Sequence, residues 1–143
     1  MTPGEIRAFV DQYVRAWQRQ DVEALLGCYT PDCEVVSPMF HAVQGQASIR
    51  QTFEALFRAF GDITITVDDI VIDAGPPSRA VLVLRTHATH VGDMFGFPAS
   101  GRRVDVSIVY VLKFEGNRIG SETRVYDFTG LLIQLGVLRA KGM

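Results

Sequence analysis

Three consecutive stretches in the C-terminal half of the chain place an apolar residue at every second position. They span roughly residues 79–91, 102–114 and 118–128. A period of two predicts β-strands that each bury one face. The last two stretches are joined by Glu115-Gly116-Asn117, which is typical of a tight hairpin. This half of the chain is therefore expected to form an antiparallel sheet with one apolar face.

The N-terminal segment shows the spacing of an amphipathic helix. Thr2 and Glu5 flank Pro3 in the pattern of a capping box, in which the Thr hydroxyl and the Glu carboxylate bind each other's backbone amides. The residues that follow form one apolar stripe at helical spacing: Ile6, Phe9, Val10, Tyr13, Val14 and Trp17. The pattern predicts a first helix that packs this stripe against the sheet.

Two further helices are predicted before the strands begin. The first starts at Asp21 as N-cap and ends near Thr30-Pro31, because a proline disfavours helical geometry in the preceding residue. The second covers residues 46–60, with Gly61 as a left-handed C-cap. One face of this helix is apolar: Ile49, Phe53, Leu56, Phe57 and Phe60.

The order of elements predicts an α+β fold. A short strand is expected over residues 33–39, and a longer one starts at Ile63. The alternation slips by one residue at Asp68-Asp69, which indicates a β-bulge that bends the strand. Helices followed by mostly antiparallel strands favour a helical layer on one face of a curved sheet, with room for a pocket between the layers.

Composition excludes several classes of function. The chain has 143 residues, 48% hydrophobic residues and a formal charge of −2 without a basic run, so nucleic acid and anionic membranes are not expected partners. No apolar run approaches the roughly 20 residues that span a bilayer. With no secretory leader and only Cys28 and Cys33, we expect one domain over residues 1–143, a cytoplasmic location and no disulfide.

Sequence motifs in this half resemble a known family. Thr89-His90 precedes Gly92, and a loop with Gly96 and Pro98 leads into Ser-Gly-Arg-Arg-Val at residues 100–104. Glu122 is followed by Tyr126-Asp127 and by Gly-Leu-Leu-x-Gln-Leu-Gly over residues 130–136. This series resembles the SnoaL-like polyketide cyclases of the nuclear-transport-factor-2-like superfamily. The resemblance implies a cone-shaped, curved antiparallel sheet packed against three N-terminal helices, as in cystatin-like and ketosteroid-isomerase-like folds, and a homodimer.

A second resemblance concerns the ketosteroid isomerases, which share this fold. Tyr13, Val14 and Asp21 match the isomerase context in which a helix-1 Tyr donates to the substrate oxygen. The isomerase's proton-shuttling Asp falls on Ser37, however, and its second, protonated Asp falls near Tyr110. A Ser does not shuttle protons at neutral pH as a carboxylate does, so steroid isomerisation is disfavoured.

The strands carry three candidate catalytic residues. Tyr110 is the only hydroxyl on the apolar side of its strand, where it could donate to an enolate oxygen or serve only as a core residue. Glu122 and Arg124 share a face of the last strand. In the resembling cyclases this strand supplies the general base, but its position falls at or near Arg124, which stays protonated. Arg124 is therefore expected to bind an anionic or enolate oxygen, with an exposed Glu122–Arg124 ion pair or a dimer contact as the alternative.

Two further residues could supply the missing base. Asp127 either caps the helix that begins near Thr129 or acts as the base, because amide hydrogen bonds that lower its pKa would weaken it as a base. His90 shares parity with the apolar residues of its strand, but a His at a strand end can instead bind the following loop. Glu122 is the third candidate base.

Aromatic and apolar side chains complete the predicted site. The expected substrate-binding residues are Tyr13, Trp17, Met39, Phe40, His41, Phe57 and Tyr126, since Met and aromatic groups suit an apolar ligand. His41, His87 and His90 do not have a metal-ligand spacing, and no nucleotide-binding motif is present, so neither a metal nor a cofactor is expected.

These residues support two functional hypotheses. The first is a cofactor-independent enzyme that acts on a hydrophobic carbonyl-containing small molecule, by polyketide-cyclase-like or isomerase-like proton abstraction with enolate stabilisation. The alternative is a non-catalytic small-molecule-binding or assembly protein of the same fold. Such a protein needs no base, which would explain why Ser37 and Arg124 occupy positions where the related enzymes have acidic residues.

Overall fold

The computed structural model describes residues 1–139, which form a curved six-stranded sheet and four helices. The helices are α1 Pro3–Arg19, α2 Val22–Leu26, α3 Gln46–Ala59 and α4 Phe128–Gln134. The strands are β1 Tyr29–Ser37, β2 His41–Gln44, β3 Phe60–Asp73, β4 Arg79–His90, β5 Arg103–Glu115 and β6 Arg118–Val125. The predicted α+β class is confirmed. Within the described part of the chain, no helix is both long and apolar enough to cross a membrane.

The sheet order is β2-β1-β6-β5-β4-β3, and every neighbouring pair is antiparallel except β1 and β6. The predicted hairpin joins β5 to β6 through Gly116-Asn117, with Gly116 at φ 62°. The predicted bulge is also present, because the β3–β4 register shifts between Val67 and Asp69. The sequence pattern did not reveal β2 or the parallel β1–β6 pairing.

Both predicted N-caps are confirmed. The Thr2 hydroxyl accepts from the Glu5 amide at 3.1 Å, and the Glu5 carboxylate accepts from the Thr2 amide at 3.0 Å. The Asp21 side chain accepts from the Ala24 amide at 3.1 Å. These contacts satisfy amides that have no partner within the first helical turn.

Two predicted helix ends are wrong. Helix α2 ends at Leu26, and Thr30-Pro31 lies in β1. Pro31 fits there because the β1–β6 register is interrupted between Tyr29 and Glu34, where no ladder donor is needed.

Helix α3 ends at Ala59, followed by Phe60 in an extended conformation, and Gly61 is not a left-handed cap. The Gln20 side-chain amide instead donates to the Phe60 carbonyl at 2.7 Å and the Phe57 carbonyl at 3.4 Å. The side chain of the residue that caps the C-terminus of α1 thus binds carbonyls at the end of α3.

The loop after β4 is held tightly against the end of α3. The amides of Val91 and Gly92 both donate to the Ala59 carbonyl, at 2.8 and 3.1 Å. A Cβ atom on Gly92 would lie 2.0 Å from the Arg58 carbonyl oxygen. Only glycine allows this close approach of the two backbones.

We therefore expect Gly92→Ala to lower the free energy of unfolding by about 1–3 kcal/mol, because the loop must move away from α3. Gly4→Ala is the matched control, since a Cβ there meets nothing closer than 3.9 Å and alanine favours a helix. Urea denaturation of both variants checks the prediction. Equal stability of Gly92→Ala and the wild type would contradict it.

Candidate functional site

A small, partly enclosed cavity of about 100 Å³ lies between the helical layer and the sheet. Ligand pockets for drug-sized molecules usually measure roughly 300–1,000 Å³, so this cavity suits a one-ring compound or one part of a larger molecule. Its lining is mostly apolar: Trp17, Met39, Leu56, Phe60, Ile63, Ile65, Thr86, Ala88, Val104, Val106, Ile108, Tyr110, Arg124, Tyr126 and Leu131.

Two nitrogen donors in this lining have no hydrogen-bond partner among residues 1–139. They are Nη2 of Arg124 and Nε1 of Trp17, and both atoms are buried. Arg124 is 6% exposed and Trp17 is 8% exposed. A buried donor without a partner costs about 1–3 kcal/mol, and a ligand oxygen that accepts from it would recover that cost. The apolar cavity is therefore lined by two residues whose buried donors lack a partner.

Arg124 is held in place by a buried network on the side away from the cavity lining. Its Nε atom donates to Oε2 of Glu122 at 2.8 Å. The hydroxyls of Tyr13 and Tyr29 donate to Oε1 of the same carboxylate at 2.5 and 2.9 Å. Glu122 does not line the cavity. Its carboxylate accepts three hydrogen bonds, which fix the orientation of the guanidinium.

The protonation states of this network follow from burial and from the Glu122 charge. Burial, and then the negative charge of Glu122, raises the pKa of Tyr13 and of Tyr29 well above the usual value. Burial also raises the pKa of Tyr110. For Arg124, burial is the largest effect and lowers the pKa, but the Glu122 carboxylate and the three tyrosines around it together raise the pKa well above its usual value. The tyrosines are thus neutral donors, and Arg124 is a cation.

Three aromatic rings surround the guanidinium. The Arg124 Cζ atom lies 5.0 Å from the Trp17 ring centroid, 5.5 Å from Tyr110 and 5.8 Å from Phe53. These distances are within the range of cation–π interactions, which become stronger when the cation is desolvated. The rings stabilise the buried charge and leave Nη2 free to donate.

The structure brings part of the predicted site together. Five predicted residues line the cavity: Trp17, Met39, Tyr110, Arg124 and Tyr126. Phe57 packs edge-on against Trp17, and Phe40 lies with Met39 in a smaller adjoining hollow. Tyr13 and Glu122 lie behind Arg124 rather than in the lining. The Glu122–Arg124 ion pair is present, but it is buried and not solvent-exposed, with Glu122 only 1% exposed.

The remaining predicted residues lie outside the cavity lining. The Asp127 carboxylate accepts from the Gly130 amide at 2.8 Å and caps α4, the first of its two predicted roles. His90 is buried, and its Nδ1 accepts from the Ser100 amide at 3.1 Å, so it binds the following loop. His41 is exposed at the start of β2. None of these three groups reaches the cavity in this arrangement.

Sequence reasoning missed Tyr29 and Phe53 as parts of the site. The predicted second helix contains Tyr29 near its end. In the structure the Tyr29 hydroxyl donates to Glu122, which lies 93 positions further along the chain. The sequence predicts Phe53 on an apolar helix face but does not indicate that it lies beside a charge.

Cys28 and Cys33 are free thiols. Among residues 1–139, no three His, Cys, Asp or Glu side chains are grouped as metal ligands would be.

A curved sheet that encloses an apolar cavity beneath a helical layer places the chain in the ketosteroid-isomerase-like class of α+β folds. The family profile described as SnoaL-like polyketide cyclase matches residues 7–135, and the chain belongs to this family. Comparison with functionally curated proteins finds no match.

Solved structures are similar over nearly the whole chain. AclR from Streptomyces galilaeus, provisionally named a hydroxylase, is 27% identical with a TM-score of 0.83, covering 97% of this chain and 85% of AclR. A provisionally named SnoaL-like polyketide cyclase from Jannaschia sp. CCS1 is 18% identical with a TM-score of 0.84, covering 96% and 97%. A Catenulispora acidiphila protein with a ketosteroid-isomerase-like fold is 17% identical with a TM-score of 0.75, covering 96% of each chain. The last two similarities concern the fold alone.

We expect Glu122→Gln to lower the free energy of unfolding by about 3 kcal/mol, because it leaves the buried Arg124 charge without a counter-ion. The double variant Glu122→Gln/Arg124→Met should regain most of this loss, since it removes both charges. Urea denaturation measures both.

Glu34→Gln, at an exposed position on β1, is the matched control and should change stability by no more than about 0.5 kcal/mol. The interpretation fails if Glu122→Gln is as stable as the wild type, or if the double variant is less stable than the single one.

Proposed function

We propose that this protein takes up a hydrophobic small molecule and holds one carbonyl or enolate oxygen of that molecule on Arg124 and Trp17. The observation that carries the proposal is the pair of unpartnered donors, Arg124 Nη2 and Trp17 Nε1, in an otherwise apolar cavity. Tyr110 lines the same cavity and is a further candidate donor. An oxygen acceptor would satisfy groups that the protein alone leaves unsatisfied.

The proposed activity is cofactor-independent enolate chemistry on that molecule. As the C–H bond next to the carbonyl breaks, its electron pair moves onto the oxygen, and Arg124 stabilises the developing negative charge. The proton passes to water at the open side of the cavity. One oxyanion donor typically contributes about 10²- to 10³-fold in rate. Membership in the SnoaL-like polyketide cyclase family supports carbonyl chemistry at this site.

The second candidate is a protein that binds such a molecule without turnover. Among the described residues, no carboxylate or imidazole lines the cavity. A positioned general base is worth about 10²- to 10⁴-fold, so its absence from the lining favours binding over efficient proton transfer. Glu122 contacts the lining residue Arg124, but its oxygens are engaged by Arg124 and two tyrosines.

Acetophenone is a suitable probe because it has one ring, a carbonyl and exchangeable methyl protons. The chain has a single Trp, so its indole N–H resonance in an NMR spectrum reports on Trp17. We expect acetophenone to move this resonance downfield, and α-methylstyrene, which replaces C=O by C=CH₂, to lack this effect. Trp17→Phe should weaken acetophenone binding about 2- to 10-fold by calorimetry, which is the value of one hydrogen bond.

Deuterium exchange at the acetophenone methyl group separates the two candidates. Protein-dependent exchange that falls in Glu122→Gln/Arg124→Met supports the enzyme. Tight binding without exchange supports the binding protein. Equal affinity for acetophenone and α-methylstyrene would eliminate both, because the polar donors would then contribute nothing.

We also propose a homodimer formed through the outer face of the sheet. Val71, Val111 and Val125 are 56%, 40% and 57% exposed on β3, β5 and β6. The pairing Val71–Val81–Val111 places a continuous apolar row across three strands of this face. Such a row is a feature of protein interfaces.

Val111→Glu should therefore convert the dimer to a monomer, because it places a charge within the apolar row. Val91→Glu, at an exposed loop position outside the sheet, should remain dimeric. Sedimentation velocity distinguishes these states. A wild-type chain that sediments as a monomer at micromolar concentration would refute the proposal.

A further inference from the structure

We infer that Glu122 determines the charge specificity of the cavity, so that the site selects a neutral oxygen acceptor and rejects a carboxylate. This inference rests on the proposed function, because it concerns the same ligand oxygen on Arg124. It assigns to Glu122 a role other than that of a base. Glu122 acts through Arg124, and is therefore a positioning and specificity-determining residue.

The first step is the formal charge of the buried site. Arg124 contributes one positive charge and Glu122 one negative charge, and the pair is joined at 2.8 Å. Burial keeps Tyr13, Tyr29 and Tyr110 protonated by raising the pKa of each. The network behind the cavity is therefore neutral as a whole, although it presents a guanidinium to the ligand.

Neighbouring thiols add no charge. Burial, with a further contribution from the Glu122 carboxylate, raises the pKa of Cys28 and of Cys33 to about 11. Both thiols are thus protonated at neutral pH. The Arg124 charge is compensated by Glu122 and by three ring faces, so an anion that enters from water gains less from Arg124 than it would from an unpaired guanidinium.

The second step is the cost of desolvating the ligand. A carboxylate that enters the cavity loses its hydration and would bring a net negative charge to a site that is already neutral. A carbonyl oxygen loses much less hydration, and it needs only the Nη2 and Nε1 donors that have no partner. The donors attract both ligands, but the desolvation cost separates them.

The test uses two probes of nearly the same shape. Benzoate replaces the methyl group of acetophenone by a charged oxygen. Calorimetric titration of the wild-type protein should show acetophenone binding at least about tenfold more tightly than benzoate. In Glu122→Gln the site carries a net positive charge, so benzoate should bind at least about tenfold more tightly than it binds to the wild type.

Two variants control for the loss of charge. Glu34→Gln makes the same substitution at an exposed position and should keep the wild-type selectivity. Glu122→Gln/Arg124→Met should lose acetophenone binding without gaining benzoate binding, because it removes the donor together with the counter-charge. If Glu122→Gln does not fold, a wild-type protein that binds benzoate as tightly as acetophenone still overturns the inference.

The outcomes separate this inference from the proposed function. Wild-type protein that binds acetophenone but binds benzoate as tightly, or an unchanged ratio in Glu122→Gln, overturns the charge specificity alone. A different result is that acetophenone does not bind the wild type while benzoate binds Glu122→Gln. This result overturns the proposed function but supports the charge specificity. A wild-type preference for acetophenone that falls at least about tenfold on removal of the Glu122 charge supports both.

Discussion

The buried ion pair between Glu122 and Arg124 connects the sheet to the helical layer. Both residues come from β6, while the hydroxyls that bind Glu122 come from Tyr13 on α1 and Tyr29 on β1. A charge in this position requires a complete set of partners, because the desolvation penalty of an unpaired buried ion is several kcal/mol. The geometry of α1, β1 and β6 is therefore coupled through one carboxylate.

This arrangement determines what the cavity can do. Replacing a buried ion pair by apolar side chains is often neutral or stabilising, so the pair contributes little to net stability. Its main physical effect is to hold a guanidinium, which has one buried and unpartnered nitrogen, at the wall of an apolar cavity and over the Trp17 ring. The aromatic rings around Arg124 exclude water and strengthen any hydrogen bond that a ligand accepts there.

The sequence was informative wherever one face of an element decides the outcome. Period-two alternation correctly placed Tyr110 on the apolar side of its strand but left open which way Arg124 faces, and capping chemistry correctly located the starts of α1 and α2. The family resemblance, which the profile match confirms, supplied the architecture of a curved sheet beneath helices. The alternation of side chains along a strand, however, indicates only which face a residue occupies. It does not indicate whether the residue lines the cavity or lies behind another side chain.

The errors had a common cause, which is that the deciding contacts lie far apart in the sequence. Gln20 replaced the expected Gly61 cap because a side chain from α1 reaches the end of α3. Tyr29 became part of the site through a carboxylate 93 positions away. Local propensity contains no information on such contacts, whereas local chemistry did anticipate the capping contact of Asp127.

The assignment of roles among the acidic residues follows from what each carboxylate already binds. Asp127 accepts from a helix amide, and Glu122 accepts from two phenols and a guanidinium, so both carboxylates are already engaged within the protein. Neither carboxylate lines the cavity, so each is placed to orient its protein partners rather than to contact a ligand. The proposed enolate chemistry would then depend on stabilising the enolate and not on a strong base. For this reason the charge balance at Arg124 is the property that links the fold to its ligand.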